Sequence, residues 1–292
     1  MSVMAVGDNF NPSSAAIRLT HWLDAAEAAG LERFPVAVDK LALDVGQTLK
    51  WPDPIVEVRA ANLPMFEGGL FHIKERRGWA LLYNEQLGSP GRVRFTQAHE
   101  LGHYLLHRQQ QEAFECSEAD MVHWGPNQKA LESQADEFAS NLLMPMKQFR
   151  VCMTGHAIDF EMLSEASTKF GVSLTATCLR WILSTEESAV LVLSRDGFID
   201  WSVSSDKARM NGAFIRTRGR VVELPMQSLA AEKTMESCRL GRRVSLNTWF
   251  EHAHPDAVAR EMKLVCDNYG YTLSLLHLSR GDKVWAPREW GV

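Results

Sequence analysis

The side chains best suited to catalysis lie in the segment 94–104, which contains the pattern His-Glu-x-x-His. Residues four apart on a helix share one face, so His99 and His103 can both direct an imidazole nitrogen at one metal ion. Glu100 is rotated by about 100° from His99 around the axis, which places its carboxylate beside that ion. A catalytic zinc uses three protein ligands and a water, whose pKa it lowers to about 7. A neighbouring glutamate can take the proton of that water as it attacks a carbonyl.

The residues around this motif favour a helix with one buried face. Apolar side chains recur through it at helical spacing, at Ala98, Leu101, Leu105 and Leu106. Thr96 is a candidate N-cap, because its hydroxyl can accept a backbone N–H that the first turn leaves unpaired. The plain alternative is a core helix that carries two hydrogen-bonded histidines, since short motifs also arise by chance. A third ligand is needed to decide between them.

The third ligand has to come from a second helix. The longer pattern that ends in a third histidine is excluded, because Leu106 and Gln109 stand at its glycine and final histidine positions. His107 shares a face with His103, but it lies about 12 Å along the axis from His99. That distance is too long for all three histidines to bind one ion.

A second amphipathic segment, residues 130–143, offers a carboxylate pair. Its apolar residues recur at helical spacing, at Leu131, Ala135, Phe138, Ala139 and Leu142. Glu132 and Asp136 lie four apart beside this stripe, where a carboxylate is costly unless it has a partner. We predict Glu132 as the third metal ligand and Asp136 as a residue that orients His99 or His103 through a hydrogen bond. A solvated helix edge is the alternative interpretation.

The two segments together resemble the ImmA/IrrE family of metallopeptidases. The resemblance rests on residues 94–103, on Glu132-x-x-Ala135-Asp136 with Phe138-Ala139, and on residues 142–145, and it covers residues 60–150. It implies zinc bound by His99, His103 and Glu132, with Glu100 as the general base. It also implies that the protein partner is a transcriptional repressor of the helix-turn-helix type, which members of the family characteristically cut. Similar ligands can also hold Mn²⁺ or Fe²⁺ instead of Zn²⁺.

The patterns along the chain predict an α+β protein in three parts. Residues 1–155 form a zincin-like peptidase domain of helices and a small antiparallel sheet. Residues 156–187 form a helix-turn-helix-like segment, and residues 188–292 form a C-terminal antiparallel α+β domain with a regulatory or sensor-like role. Some family members carry a GAF-type sensor module at that place, although no residue can be carried over from it.

In the first part we expect a helix that ends near Gly30 and a second element between Val36 and Gly46, helical or extended. Residues 55–85 read as three strands, with a hairpin at residues 75–78. A strand beside the metal-binding helix could align an extended substrate by pairing with it.

Residues 108–127 are predicted to form a long polar loop with four candidate metal ligands, Cys116, Glu118, Asp120 and His123. Loops of this length often have a function. Cys116 or His123 could reach the metal and hold the enzyme inactive, whereas a solvated flap over the cleft is the simpler interpretation.

Two helices within residues 160–183 suggest a helix-turn-helix. The second helix offers few groups for a DNA groove, namely Thr175, Thr177 and Arg180, so we expect packing and no direct DNA binding. Farther on, Asp196-Gly197 and residues 267–270 indicate two hairpins.

A helix is expected over residues 228–239. Arg216, Arg218 and Arg220 would share one face of a strand, where they could bind an anion or remain solvated.

The composition is that of a globular protein, with 46% apolar and 23% charged residues. A net charge of −5 argues against general nucleic-acid binding. Five cysteines without a C-x-x-C pair indicate reduced thiols in the cytoplasm. The sequence shows neither a signal-like start nor a run of about 20 apolar residues, so no membrane association is expected.

The expected function is that of a zinc-dependent endopeptidase. The alternatives are a non-catalytic, zinc-stabilised regulator that binds a repressor or DNA, and a hydrolase of a small amide. A peptidase also needs a hydrogen-bond donor for the tetrahedral oxyanion. The candidates are His72, Tyr83, Arg94, Tyr104 and His123, and the sequence does not choose among them.

Overall fold

The computed structural model describes residues 11–116, 126–155, 157–234, 237–266 and 269–286. It confirms the α+β class. The chain divides into two compact units. The first comprises Met1–Thr154 with Ser167–Ser173, and the second comprises Gly155–Ala166 with Leu174–Val292.

The first unit combines helices with a four-stranded sheet. Its helices are α1 (Pro12–Ala28), α2 (Val38–Thr48), α3 (Pro90–His107), α4 (Pro126–Leu143) and α5 (Met146–Met153). Its strands are β1 (Ile55–Ala61), β2 (Gly68–Ile73), β3 (Gly78–Asn84) and β4 (Ala113–Cys116), in the order β1-β3-β2-β4. The prediction of an antiparallel sheet is wrong for one pair, because β1 runs parallel to β3.

The metal-motif helix begins earlier than predicted. Helix α3 starts at Pro90, and the Ser89 hydroxyl accepts the backbone N–H of Arg92 at 3.2 Å. Thr96 is therefore not the N-cap but a buried residue inside the helix. The Ser-Pro pair is the stronger start signal, because proline at the first helical position lacks only an N–H that would be unpaired anyway.

Residues 108–127 do not form one loop. Residues 113–116 form β4, which pairs antiparallel with β2. Phe114 is the residue that fixes this strand, since its side chain is buried in the first unit. Glu118, Asp120 and His123 lie outside the described residues.

A glycine allows α3 and α4 to approach closely. A Cβ at Gly102 would lie 3.0 Å from Phe138 Cδ1 and 3.2 Å from Ala135 Cα. Such distances are tighter than ordinary van der Waals contact, so a larger residue would push the two helices apart. Gly102 is therefore needed for the close packing of α3 against α4.

The second unit is built on a five-stranded antiparallel sheet. Its elements are α7 (Leu174–Ile182), β5 (Ser188–Arg195), β6 (Phe198–Ser204), α8 (Asp206–Met210), β7 (Ser237–Ser245), β8 (Val258–Cys266) and β9 (Tyr271–Leu278). Helix α6 (Phe160–Phe170) has residues in both units. The strand order is β6-β5-β9-β8-β7. The predicted hairpin at Asp196-Gly197 is confirmed, with φ of 49° and 86° as an Asp-Gly turn requires.

Two predictions for the second unit are wrong. Residues 228–239 are not a helix, because β7 begins at Ser237 and residues 228–234 form turns. The backbone N–H of Ala230 donates to the buried Glu261 carboxylate at 2.8 Å, a tertiary contact that replaces helical hydrogen bonding. The three arginines at 216, 218 and 220 lie in an irregular segment instead of a strand, so they do not share one face of a strand.

Helix α7 turns its polar groups into the second unit. Thr177 is fully buried, and the Thr175 hydroxyl lies 3.1 Å from the Tyr271 hydroxyl. Burial also lowers the pKa of the Arg180 guanidinium. Among the described residues, no helix combines the length and the apolar character needed to cross a membrane.

Candidate metal centre

Three ligand atoms from two helices converge in the first unit. His99 Nε2 lies 3.0 Å from His103 Nε2 and 3.0 Å from Glu132 Oε2. His103 Nε2 lies 3.4 Å from the same carboxylate oxygen. All three residues are buried, and within the described part of the chain they are the group found capable of holding a metal ion.

The spacing of these atoms suits a tetrahedral metal ion. Zinc binds nitrogen and oxygen ligands at about 2.0–2.2 Å, which places two such ligands roughly 3.3–3.5 Å apart. The observed separations of 3.0 to 3.4 Å are close to that value. Lone pairs aimed at one buried point repel each other unless a proton or a cation lies between them. The donor set therefore fits a divalent metal, and two imidazoles with a carboxylate suit Zn²⁺, Mn²⁺ and Fe²⁺ alike.

Hydrogen bonds outside this group orient two of the ligands. Asp136 Oδ1 lies 2.8 Å from His99 Nδ1, and Gln128 Nε2 donates to Glu132 Oε1 at 2.7 Å. Helix α4 thus supplies the carboxylate and both of these outer contacts. Because these hydrogen bonds hold His99 Nδ1 and Glu132 Oε1, the other two atoms, His99 Nε2 and Glu132 Oε2, remain directed at the common point.

His103 has a different partner. Its Nδ1 lies 3.0 Å from Nδ1 of His107, whose Nε2 lies 2.9 Å from Gln134 Oε1. Phe114 of β4 stacks on the His103 ring at 4.6 Å between centroids. His107 is too far along the helix to be a third ligand, as predicted, but its contact with His103 was not predicted from the sequence. The signal was the third histidine at the same four-residue spacing.

The charges of the three residues depend on one another. Burial lowers the pKa of His99, but hydrogen bonds to Asp136 and Glu132 outweigh it, so that pKa is raised. Burial lowers the pKa of His103, which stays neutral near neutral pH. Burial raises the pKa of Glu132, but the hydrogen bonds to His103 and His99 outweigh it, and the carboxylate is ionised. A metal ion must therefore displace a proton from His99.

Glu100 is fully buried next to the first ligand. A Cβ at Gly68, the first residue of β2, would lie 2.9 Å from Glu100 Oε1 and would also meet the Thr96 methyl group. Only a glycine leaves room there for the carboxylate. The role of Gly68 was not predicted from the sequence, although paired glycines at the start of a strand indicate a close approach of another group.

Residues 53–181 match the family model described as Peptidase_M78, IrrE N-terminal-like domain. This part of the chain is similar to IrrE N-terminal-like domains. The match confirms the resemblance to the ImmA/IrrE family. It includes every residue of the metal group and supports a peptidase-type hydrolase in general.

A solved structure described as a Mycobacterium tuberculosis transcriptional regulator is similar in fold. The TM-score is 0.50 at 15% sequence identity, over 94% of this chain and 77% of that one. At this identity the likeness concerns the fold alone. A comparison with curated protein sequences gives no significant match.

Several of the predicted oxyanion donors make other contacts in the first unit. The Tyr104 hydroxyl donates to the Asp53 carbonyl at 3.1 Å, and the Arg94 guanidinium donates to the Gly171 carbonyl. The His72 ring packs against Trp79 with 5.0 Å between centroids. Tyr83 lines a cavity of about 600 Å³ together with Arg94.

The hypothesis that Cys116 or His123 closes the metal site concerns side chains that lie outside the described residues. His123 belongs to the segment after β4, and Cys116 is the last residue of that strand. The three candidate ligands all lie among the described residues, with Glu100 beside them.

Proposed function

We propose that this chain is a zinc-dependent endopeptidase that cuts a protein partner, a transcriptional repressor of the helix-turn-helix type. One observation carries the proposal. Two histidines and a glutamate, all buried, aim three ligand atoms at one point, and a fourth residue, Glu100, lies buried beside the first of them. A solvated helix edge would not bring two imidazole nitrogens and a carboxylate oxygen to within 3.0 to 3.4 Å of one another in a buried group.

The side chains have separate roles in this proposal. His99, His103 and Glu132 would hold the metal, and Asp136 keeps the His99 ring in place. When bound, the metal polarises the scissile carbonyl and lowers the pKa of the attacking water. Glu100 takes the proton of that water and later delivers it to the leaving amine.

The edge strand β4 is the proposed binding surface for an extended peptide. Within the described residues, β4 pairs with β2 and with no strand on its other side. The Phe114 side chain of β4 touches the His103 ring, so this edge runs beside the ligands. A peptide that adds to the edge as a strand would place successive carbonyls along the metal group. Replacing Ala113 with proline should raise KM and leave zinc binding unchanged.

A protein partner suits this chain better than DNA does. The net charge of −5 disfavours contact with phosphates, and α7 buries Thr177, a polar group that a recognition helix would expose. The family resemblance suggests a repressor as the partner, and the similar solved structure carries the description of a transcriptional regulator. Residues 188–292, which contain the five-stranded antiparallel sheet, would be the regulatory part.

The test combines cleavage with metal analysis. Purified helix-turn-helix repressors are incubated with the protein, with and without a chelator, and fragments are read by mass spectrometry. Glu100→Gln should retain the metal and lose cleavage, whereas Glu137→Gln, on the exposed side of α4, should cleave like the wild type.

Two outcomes would contradict this function. Cleavage that persists in Glu100→Gln would refute the base assignment. If the wild-type protein binds both the metal and the repressor but never cuts the repressor, the non-catalytic regulator is favoured.

A further inference from the structure

A cavity of about 600 Å³ in the first unit is lined by residues other than the metal ligands. Its α3 side is formed by Pro90, Val93, Arg94 and Gln97, which recur at the three- and four-residue spacing of one helical face. His99 follows Gln97 by two residues and is rotated from it by about 200° around the helix axis. Pockets that bind small molecules commonly have volumes of about 300–1,000 Å³. The cavity is therefore large enough for a ligand and lies on a different face of α3 from the His99 ring.

Gln97 gives this cavity a polar group that has no protein partner. The residue is only 8% exposed, and its amide forms no hydrogen bond within the part of the chain that the structure describes. Most buried polar side chains in proteins are paired, and leaving one unpaired is costly. A buried amide that lines a cavity without a partner therefore indicates a group that binds there. Because an amide both donates and accepts, a peptide bond is a suitable partner for it.

Two opposite charges line the same cavity. Arg94 is partly buried and donates to the Gly171 carbonyl, and Asp39 is exposed in the first turn of α2. Burial lowers the pKa of the Arg94 guanidinium, and the negative charge of Asp39 acts against that effect. Among the described residues, these two side chains form no ion pair with each other. A ligand that carries both a carboxylate and an ammonium group would find a partner for each.

The remaining side chains around the cavity are mostly apolar. Val36 and Val38 are buried, and Leu87 and Val93 are partly buried. Such a lining favours apolar side chains on the ligand, since their burial removes apolar surface from water.

We propose that this cavity binds a short peptide that has free ends and apolar side chains. The carboxylate of the peptide binds Arg94, its ammonium group binds Asp39, and its peptide bond meets the Gln97 amide. The proposal concerns a site without a metal ligand, so it does not depend on peptidase activity.

Isothermal titration calorimetry of the full-length protein with L-alanyl-L-leucine tests the site, with a chelator present so that the metal group stays empty. Three matched probes each lack one feature. N-acetyl-L-alanyl-L-leucine lacks the ammonium group, L-alanyl-L-leucinamide lacks the carboxylate, and L-leucine lacks the peptide bond. Each should bind about tenfold more weakly than L-alanyl-L-leucine or worse, because each leaves one polar group of the cavity without its partner.

Variants assign these preferences to residues. Asp39→Asn should bind L-alanyl-L-leucine and its N-acetylated form with nearly equal affinity, because the partner of the ammonium group has lost its charge. Asp44→Asn changes an exposed position of α2 that does not line the cavity, so it should keep the preference of the wild type. Gln97→Met has a side chain of similar size without the amide. It should weaken binding of L-alanyl-L-leucine and leave that of L-leucine unchanged.

Several results would overturn the proposal. One is a wild-type protein that binds no L-alanyl-L-leucine at millimolar concentration, and another is equal affinity for this peptide and its N-acetylated form. A third is the same preference in Asp39→Asn as in Asp44→Asn. Binding that appears only without the chelator would place the peptide at the metal group instead. Failure to cut any repressor would leave all of these measurements unchanged, so this proposal and the endopeptidase function fail separately.

Discussion

Two buried glutamates, one in each unit, have opposite environments. Glu132 on α4 faces two histidine nitrogens in the metal group, and the pKa of its carboxyl is lowered by them against the effect of burial. Glu261 on β8 accepts the Trp249 indole N–H at 2.9 Å and the Ala230 N–H at 2.8 Å. Burial raises the pKa of Glu261 and outweighs these bonds.

The comparison separates a functional buried carboxylate from a structural one. The partners of Glu261 are donors that match its oxygens, so the group is complete within the protein. The partners of Glu132 are imidazole nitrogens, atoms that can also bind a metal ion, so a cation can take the place of the proton in that group. Burial of a charged residue alone does not identify a site. The chemistry of its neighbours does.

The largest difference is expected when each glutamate is replaced in turn. Glu132→Gln removes a charged ligand atom, so zinc binding should weaken by well over the 10–100-fold typical of an orienting residue, and cleavage should stop. Glu261→Gln should leave zinc binding unchanged. Metal content after dialysis and chelator competition measure both, and equal losses in the two variants would erase the distinction.

Asp136→Asn tests the support of a metal ligand. The asparagine amide is an uncharged acceptor for the His99 N–H and holds the ring less firmly than the carboxylate does. Zinc affinity should therefore fall by about 10–100-fold. Glu137→Gln is the matched control on the next residue of α4. Unchanged affinity in Asp136→Asn would show that His99 needs no such orientation.

Zinc affinity should depend on pH through His99. The pKa of His99 is raised in the metal-free protein, so below that pKa the metal must displace its proton. Affinity should therefore fall as the pH is lowered, by about tenfold per pH unit for one displaced proton. Competition titrations at several pH values measure this slope, which should be shallower in Asp136→Asn. A flat profile in the wild type would contradict the proton assignment.

The smallest effect concerns the stability that Glu261 provides. Glu261→Gln keeps one acceptor and sets an amide N–H against the other donor, so it should cost about 1–3 kcal/mol of unfolding free energy. Folding raises the pKa of Glu261. The stability that Glu261 contributes is therefore complete below the ordinary carboxyl pKa of 4.5, and it is lost as the pH rises through the pKa of Glu261 in the folded protein. Denaturant unfolding of this variant and of the exposed Glu223→Gln at several pH values measures both effects. A cost equal to that of the control would contradict the structural role.

The sequence predicts which side chains of the two helices come together, because that information is local. A four-residue spacing on one helix places His99 and His103, and the same spacing beside an apolar stripe places Glu132 and Asp136. The wrong predictions depend on distant partners. Residues 228–239 are not a helix because a carboxylate on β8 takes the backbone N–H of Ala230. The contact of His107 with Gln134 likewise exists only once α3 and α4 pack together.

The central claim is that His99, His103 and Glu132 hold a metal ion, and anomalous X-ray diffraction at the zinc edge tests it most directly. Crystals grown with zinc should show one strong peak at about 2.0–2.2 Å from the two Nε2 atoms and the Glu132 carboxylate. The peak should disappear in Glu132→Gln and remain in Glu261→Gln. A wild-type crystal with no peak there, or with its zinc bound elsewhere, would contradict the account.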